Sequence, residues 1–404
     1  MSPEGAAAPT AAARRETPAE RTIPLCVPEI GGDEWLYVKD CLDSGWVSSA
    51  GAFVDRFEAA FAARLDAGQA VAMVNGTAAL HVALLVAGLR PGDEVLVPSL
   101  TFIAPANAVR YAGAWPVFVD AEPDTWQMDP SRVVDFLERQ CEWIGGELRN
   151  RATGRRLGAL LPVHVLGHSV NMAPVLAVAE KFGLPVIEDA AESLGATYRG
   201  RPVGRLGQIG CFSFNGNKLM TTGGGGMLVT DDPALAERAR YLGTTAKDEP
   251  REGVHAAIGY NYRLTSLQAA MGCAQLERLD HLLGAKRRIA ARYGEGLAGL
   301  PGIGVMPEAE WAESAFWLYS IRVDEAAAGL GSRELRDRLA RAGIEARCFW
   351  QPMHLSPAHA GAPCLGGAVA DRLYREILSL PCSCGLTPDD QDRVIAAIKS
   401  ALAA

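Results

Sequence analysis

One lysine in this sequence is held where a lysine has little room to be ordinary. Gly210-Cys211-Phe212-Ser213-Phe214 starts as a short apolar run carrying one small hydroxyl, then breaks into the turn Asn215-Gly216-Asn217 before Lys218. Four glycines, Gly223 to Gly226, follow closely, and Met227-Leu228-Val229-Thr230 resumes a strand ending at Asp231-Asp232-Pro233. Glycine lets a backbone take positive φ or approach a ligand closely, so Lys218 is expected on a tight corner between two strands. An amine fixed in that way can attack a carbonyl carbon or shuttle a proton. The plain alternative is one more solvated lysine, and the rest of the chain decides between them.

Leu184-Pro185-Val186-Ile187 reads as a buried strand that runs out into Glu188, Asp189, Ala190, Ala191 and Glu192. Carboxylates at the end of a buried strand are costly unless paired with a cation or hydrogen-bonded. Ala70 to Val74 is another buried-strand run, breaking at Asn75-Gly76-Thr77 into a helix over Ala78 to Ala87. That transition gathers free N–H groups and the positive end of a helix dipole at one point, an anion site, although Asn75 or Thr77 could equally serve only as a cap. Phe102 lies just past the next strand, Glu94 to Pro98. A phosphate cradle at Gly76 and Thr77, a flat ring at Phe102, a carboxylate at Asp189 and an amine at Lys218 together make the set that pyridoxal 5'-phosphate requires. Neither a Walker phosphate loop nor a GxGxxG fingerprint follows a strand here, and zinc lacks ligands.

The elements that must position these residues alternate strand and helix. After Asp33 to Leu42 and Val54 to Leu65, both helix-like, come the strands already named, a helix opening near Thr101, and a strand over Trp115 to Asp120. Leu160 to Val165 is a strand, and Ala173 to Phe182 a helix. This rhythm predicts an α/β fold with parallel crossovers, whose functional loops lie at the carboxyl ends of the strands. Cys141 to Leu157 is polar and turn-rich, an excursion from the sheet. Further helices are expected over Ala234 to Leu242, Ser266 to Leu283 and Ser332 to Ala342, strands over Ala315 to Val323 and Glu345 to Phe349, and a solvated helix face at Lys286-Arg287-Arg288. Residues 1–22 read as a disordered tail, 23–260 as a large cofactor-binding domain, and 261–404 as a connecting helix and a small C-terminal domain.

With 404 residues the chain can bury a sizeable core, and its net charge of -8 gives no basic footprint for nucleic acid. Nine cysteines scattered without a secretory signal argue for reduced thiols rather than a disulfide framework, with Cys382-Ser383-Cys384 the only close pair. No apolar run approaches the roughly 18 to 20 residues needed to span a membrane, so a cytoplasmic protein is expected.

Asn-Gly-Thr-Ala-Ala-Leu from Asn75, Pro-Ser-Leu-Thr-Phe-Ile-Ala-Pro-Ala-Asn-Ala from Pro98, Glu-Asp-Ala-Ala-Glu-Ser-Leu-Gly from Glu188, Ser-Phe-Asn-Gly-Asn-Lys ending at Lys218, and Gly-Tyr-Asn-Tyr-Arg-Leu from Gly259 stand in order along the chain. In these five motifs the sequence resembles the DegT/DnrJ/EryC1/StrS sugar aminotransferases, from about residue 24 to the C-terminus. The resemblance implies a fold-type-I PLP-dependent transferase: a large domain with a mostly parallel central sheet flanked by helices, plus a smaller C-terminal α/β domain. It implies a homodimer with shared active sites that uses pyridoxal 5'-phosphate, an amino donor, usually glutamate, and a nucleotide-linked ketosugar. Carried over by motif, Lys218 is the Schiff-base lysine, Asp189 the partner of the pyridine nitrogen, Ser213, Gly76 and Thr77 phosphate ligands, and Phe102 the stacking ring. Asn261 would reach the phosphate in the neighbouring subunit. Glu192 stands where the family often has Gln or His, and would need a proton between itself and the cofactor's phenolic oxygen.

Within the family the motifs look most like enzymes that aminate C4 of nucleotide-linked 4-keto-6-deoxy-N-acetylhexosamines, with the UDP-linked form expected first and the GDP-linked form next. Amination at C3 and a dehydratase of the same fold remain alternatives; the dehydratases replace the lysine with histidine. A further alternative is a non-catalytic sugar-binding homologue. For the sugar nucleotide, the candidates are Trp46 and Ser49 in a small-residue loop, His164 after its strand, Arg263, Tyr319 and His354. Tyrosine and tryptophan pair an apolar face with a polar tip suited to a hexose or a base, yet each serves equally well in a core.

Overall fold

A computed structural model describes residues 22–249 and 251–403. Residues 1 to 21 of the N-terminal tail lie outside the described residues.

The central sheet is built from Gln69–Met73 (β1), Glu94–Pro98 (β2), Trp115–Val119 (β3), Leu157–Leu160 (β4), Ile187–Asp189 (β5), Ile209–Ser213 (β6), Gly226–Thr230 (β7) and Cys364–Leu365 (β8). Its order is β8-β3-β2-β4, continued through the parallel bridges Leu160 to Val186 and Val163 to Asp189 into β5-β6-β7-β1. All pairings are parallel except those of β7, which runs antiparallel to both β1 and β6. Strands such as Glu94-Val95-Leu96-Val97-Pro98 are buried throughout, the pattern of a sheet covered on both faces. One core cluster joins β1, β2 and β6 to the helices Gly76–Val86 and Pro233–Gly243, and another packs Phe57, Phe61, Phe212 and Phe214 on the opposite side.

A second, antiparallel sheet pairs Ile303–Gly304 with Ser320–Val323, then Ile377–Ser379 and Arg347–Cys348. Ile23 bridges to Ile344, and Ile23 and Leu25 belong to the core of this C-terminal part. The excursion after Cys141 is a hairpin, Cys141–Ile144 against Glu147–Asn150, closed by Gly145 and Gly146 at φ 60° and 83°. That turn needs positive φ at both central positions, which glycine alone adopts freely.

Five expectations change. The strand expected over 160–165 is instead Leu157–Leu160, and that expected over 345–349 shortens to Arg347–Cys348. The helix expected over 266–283 is two helices, Ser266–Glu277 and Leu279–Leu297, because Arg278 leaves the helical region at φ -99°, ψ 3°. The strand expected over 315–323 begins only at Ser320, since Phe316 turns the backbone at φ 47°. Lys286 is not on a solvated face: it is 2% exposed, on the same helical stripe as Leu282, Ile289 and Tyr293, whereas Arg287 and Arg288 are exposed. Among the described residues, no helix is long and apolar enough to cross a membrane.

Candidate active site

The carboxyl ends of β5 and β6 and the loops after β1 and β2 meet in a cleft of about 280 Å³. Lys218 enters it from a turn in which its N–H donates to Asn215 O at 2.9 Å. Phe214 N–H to Gly225 O at 2.8 Å and Thr222 N–H to Phe214 O at 3.0 Å tie that turn to the glycine run. The lysine side chain is 13% exposed; its Nζ lies 3.5 Å from Glu192 Oε1 and 3.9 Å from the centre of the Trp317 ring.

Asp189 ends β5 almost fully buried, with Oδ1 accepting the Ala191 N–H at 3.0 Å. Glu192 is nearly as buried, and its second oxygen accepts the Leu166 N–H at 2.8 Å. Burial raises both carboxyls above their ordinary values, opposed by the Lys218 charge and by those backbone donors; Asp189 adds to the rise at Glu192. An acid pushed upward in this way welcomes a cationic partner, since pairing restores the anion it would otherwise give up.

Across the cleft, the helix Gly76–Val86 begins at Asn75, whose extended backbone and side chain cap the first turn through Ala78 N–H at 2.8 Å. Asn75 is therefore the cap, which leaves the N–H groups of Gly76 and Thr77 at the cleft wall beside Ser213. A side chain at Gly76 would bring its Cβ within 2.8 Å of Ser213 Cβ, so the approach of β6 to this helix start requires glycine. The concavity suits a phosphate: backbone donors, a helix N-terminus and a hydroxyl converge on it. Phe102, 52% exposed, flanks the opening and meets Trp350 edge-on at 6.1 Å. Phosphate cradle, ring face, buried acid and amine thus occupy one cleft, and these residues fit pyridoxal 5'-phosphate. A larger opening of about 650 Å³ elsewhere has Glu122, Asp124, Asp129 and Glu308 in its walls and, among the described residues, no cation, which does not fit an anionic ligand.

A family model for the DegT/DnrJ/EryC1/StrS aminotransferase family matches residues 28–399. The chain belongs to that family. It is a pyridoxal phosphate-dependent aminotransferase of fold type I. The GDP-perosamine synthase of Caulobacter vibrioides is 41% identical over 94% of this chain and 98% of its own. The aminotransferase TlmJ from Streptoalloteichus hindustanus superposes with a TM-score of 0.85 at 30% identity, covering 95% of this chain and 99% of that one. DesI, solved in the presence of its TDP-sugar product, also gives 0.85 at 30% identity, over 95% of this chain and 93% of that one.

Several expected substrate residues lie elsewhere. His164 is fully buried; its Nδ1 accepts the Val170 N–H at 3.0 Å, so Nε2 carries the hydrogen and donates to Glu188 Oε2 at 3.0 Å. Glu188 also accepts N–H groups from Gly204, Leu206 and Gly207. Both are satisfied internally, and the expectation that His164 grips substrate is corrected. Tyr319 is 2% exposed and stacks on Tyr293 at 5.1 Å in the C-terminal core; it too is corrected. His354 sits behind the wall, with Nδ1 2.5 Å from Ser99 Oγ and Nε2 3.2 Å from Asp371. It braces the segment before Thr101 and Phe102 rather than lining the cleft, the third correction.

Trp46 is exposed and Ser49 half-buried on a loop outside the cleft wall. Asn261 is exposed and bridges to Thr244, while Arg263 bridges to Met73 and reaches Asp55 at 3.5 Å. None of these four lines the cleft of its own chain.

Trp317, Arg347 and Trp350 do line it and were missed. Trp317 comes to Lys218 only because the backbone bends at Phe316. Gly167, at φ 96°, packs against that bend so closely that a Cβ would meet Phe316 N and Trp317 N at 2.8 Å. The segment after His164 thus contributes backbone to the site instead of an imidazole. A bend of this kind leaves no periodic trace in sequence.

Proposed function

We propose that this enzyme transfers an amino group, with glutamate as donor, to C4 of a nucleoside-diphosphate-linked 4-keto-6-deoxysugar. The observation that carries the reading is the convergence of Lys218 Nζ, the Asp189 carboxylate, Ser213 and the Gly76–Thr77 helix start on one cleft. When bound, pyridoxal 5'-phosphate supplies an electrophilic aldehyde and an electron-withdrawing ring. Among the described residues, Lys218 is the one amine lining the cleft; it would hold the aldehyde and move the proton at the substrate carbon. Asp189 would keep the ring nitrogen protonated, Gly76, Thr77 and Ser213 would hold the phosphate, and Phe102 would cover one ring face. Glu192, its carboxyl raised by burial, would face the phenolic oxygen, where two anionic groups would need a proton between them.

The nearest rival, a dehydratase with histidine at the lysine position, is disfavoured by Lys218. A homologue without catalysis is disfavoured by the joint presence of Lys218, Asp189 and Ser213. Asn261, exposed and outside its own cleft, is free to reach the phosphate in a second copy, with Arg263 beside it, so the working unit is a homodimer. Trp46 and Ser49 stay candidates for substrate across that interface.

The sequence motifs favour a UDP-linked, N-acetylated sugar; the likeness to a GDP-perosamine synthase supports ranking the GDP-linked sugar ahead of it. Spectral titration of the amine-loaded enzyme with GDP-, UDP- and dTDP-linked 4-ketosugars decides the order, with the GDP form expected to react fastest. Inertness to all three, with rapid reaction towards a free keto acid, would sink the nucleotide-sugar reading.

A further inference from the structure

Behind the cleft lies a second lysine that transamination does not use. Lys286 Nζ donates to Trp317 O at 2.8 Å and Cys382 O at 2.5 Å, and lies 3.6 Å from Cys26 Sγ and 3.7 Å from Cys382 Sγ. A charge this deeply buried is costly unless it is paired. The neighbours that raise Lys286 against its burial are all cysteines, Cys382, Cys26 and Cys384. Among the described residues, the groups set beside the ammonium as counter-charge are these sulfurs. Of these thiols, Cys26 is half-buried, on the segment that precedes the first helix, and Cys382 is buried. As a thiol, Cys26 donates to Asn217 O at 3.5 Å, a bond it gives up on ionising, and the same carbonyl accepts Trp317 Nε1–H at 2.7 Å. Asn217 directly precedes Lys218.

We propose that Cys26 is a covalent modification site, a thiolate paired with the buried Lys286 ammonium and open to peroxides and other soft electrophiles, whose capture displaces the turn that carries Lys218. Hydrogen bonding with Cys382, whose thiol also lies 3.6 Å from Trp317 O, and after it the Lys286 charge, outweigh burial and bring the Cys26 thiol to about 6. The other charged or titratable groups facing this cluster, among the described residues, are Lys218, Tyr293, Cys384 and, near Cys384, Glu29 and Arg278.

With a peroxide, the thiolate attacks one oxygen, the O–O bond breaks, and hydroxide leaves. Sulfur is oxidised by two electrons to the sulfenic acid and the peroxide is reduced. With a haloacetamide, an S–C bond forms and halide departs. Either product ends the ion pair and adds atoms beside Asn217 O. The turn cannot keep both that carbonyl and the Trp317 indole in place.

The test is a pulse of iodoacetamide on the full chain across pH, read by peptide mass, with Cys364 as internal control. Cys364 is also half-buried, but burial pushes its thiol up to about 11. Near pH 7, Cys26 is expected to label at least about tenfold faster than Cys364, because the thiolate is the nucleophile. Lys286→Met removes that preference and Lys286→Arg keeps it. Peroxide adds one oxygen to the same peptide. Wild-type protein labelled at Cys26 fails to develop the near-visible band when pyridoxal 5'-phosphate is added, whereas Cys26→Ser given the same treatment develops it. Equal labelling of Cys26 and Cys364 in the wild type overturns the proposal, as does labelled Cys26 with unchanged cofactor uptake. Should Lys286→Met fail to fold, the wild-type ratio and Lys286→Arg still decide. None of these readouts depends on the sugar substrate.

Discussion

Lys218 and Lys286 are the same side chain in two surroundings, joined by one tryptophan. Lys218 has a long contact to Glu192 at 3.5 Å and the face of Trp317 at 3.9 Å; Lys286 has two carbonyls, one of them Trp317 O, and two sulfurs around it. The first amine is held loosely by groups that tolerate a change of partner. The second has its hydrogens taken by fixed backbone. An amine that must let go of one carbon to serve another needs the first arrangement, and a buried charge that fastens distant segments together needs the second.

The largest effect should come from the loose lysine. Lys218→Ala is expected to slow both half-reactions by at least about 10³-fold, the range of a lost acid–base group and more. Borohydride treatment should no longer fix cofactor to the peptide containing residue 218. Rates within tenfold of wild type would remove Lys218 from the reaction.

The fixed lysine should instead answer in stability. Lys286→Met leaves Cys382 O buried without its ammonium donor and Trp317 O with only the weak Cys382 thiol at 3.6 Å, at about 1 to 3 kcal/mol each. A loss of about 2 to 4 kcal/mol in urea unfolding is expected. An unchanged midpoint would mean that water replaces the ammonium and that the ring of acceptors is not closed.

The contrast also marks what sequence made legible. Residues that act through local backbone, namely Asn75-Gly76-Thr77 at a strand-to-helix turn, Asp189 at a strand end and Lys218 before its glycines, are visible because their neighbours in sequence are their neighbours in space. The central sheet is visible for the same reason: β2 and β6 announce themselves as apolar runs between turns. His164 sits at an equally suggestive strand end, but Glu188, which satisfies it, is 24 residues away, and no local pattern reveals that pairing. Trp317 and Arg347 reach the cleft from the C-terminal sheet through a bend and a two-residue strand, too short to show a period. Lys286 was readable in part. It falls at helical spacing from Leu282, Ile289 and Tyr293, and that stripe outweighs the basic run Lys286-Arg287-Arg288 as a guide to burial.

The smallest effect concerns the acid opposite the loose lysine, and its pH dependence separates a cofactor partner from a structural carboxylate such as Glu188. Burial raises Asp189 above 3.8 in the cofactor-free protein, with the Ala191 N–H and the Lys218 charge only partly offsetting it. The folded chain then binds a proton where the unfolded chain has lost it. Its contribution to stability is complete below the unfolded value and is lost as pH rises through the folded one. In urea unfolding between about pH 4 and about pH 7, cofactor-free Asp189→Asn should therefore gain on wild type as pH increases. Loading with pyridoxal 5'-phosphate moves the dependence: a protonated ring nitrogen beside Asp189 favours the anion, so the wild type's loss between about pH 4 and about pH 7 should disappear, and it should lose on the variant only as pH falls below about 4. A difference that ignores both pH and cofactor would mean that Asp189 only caps the turn at Ala191, and that the ring nitrogen finds its partner elsewhere.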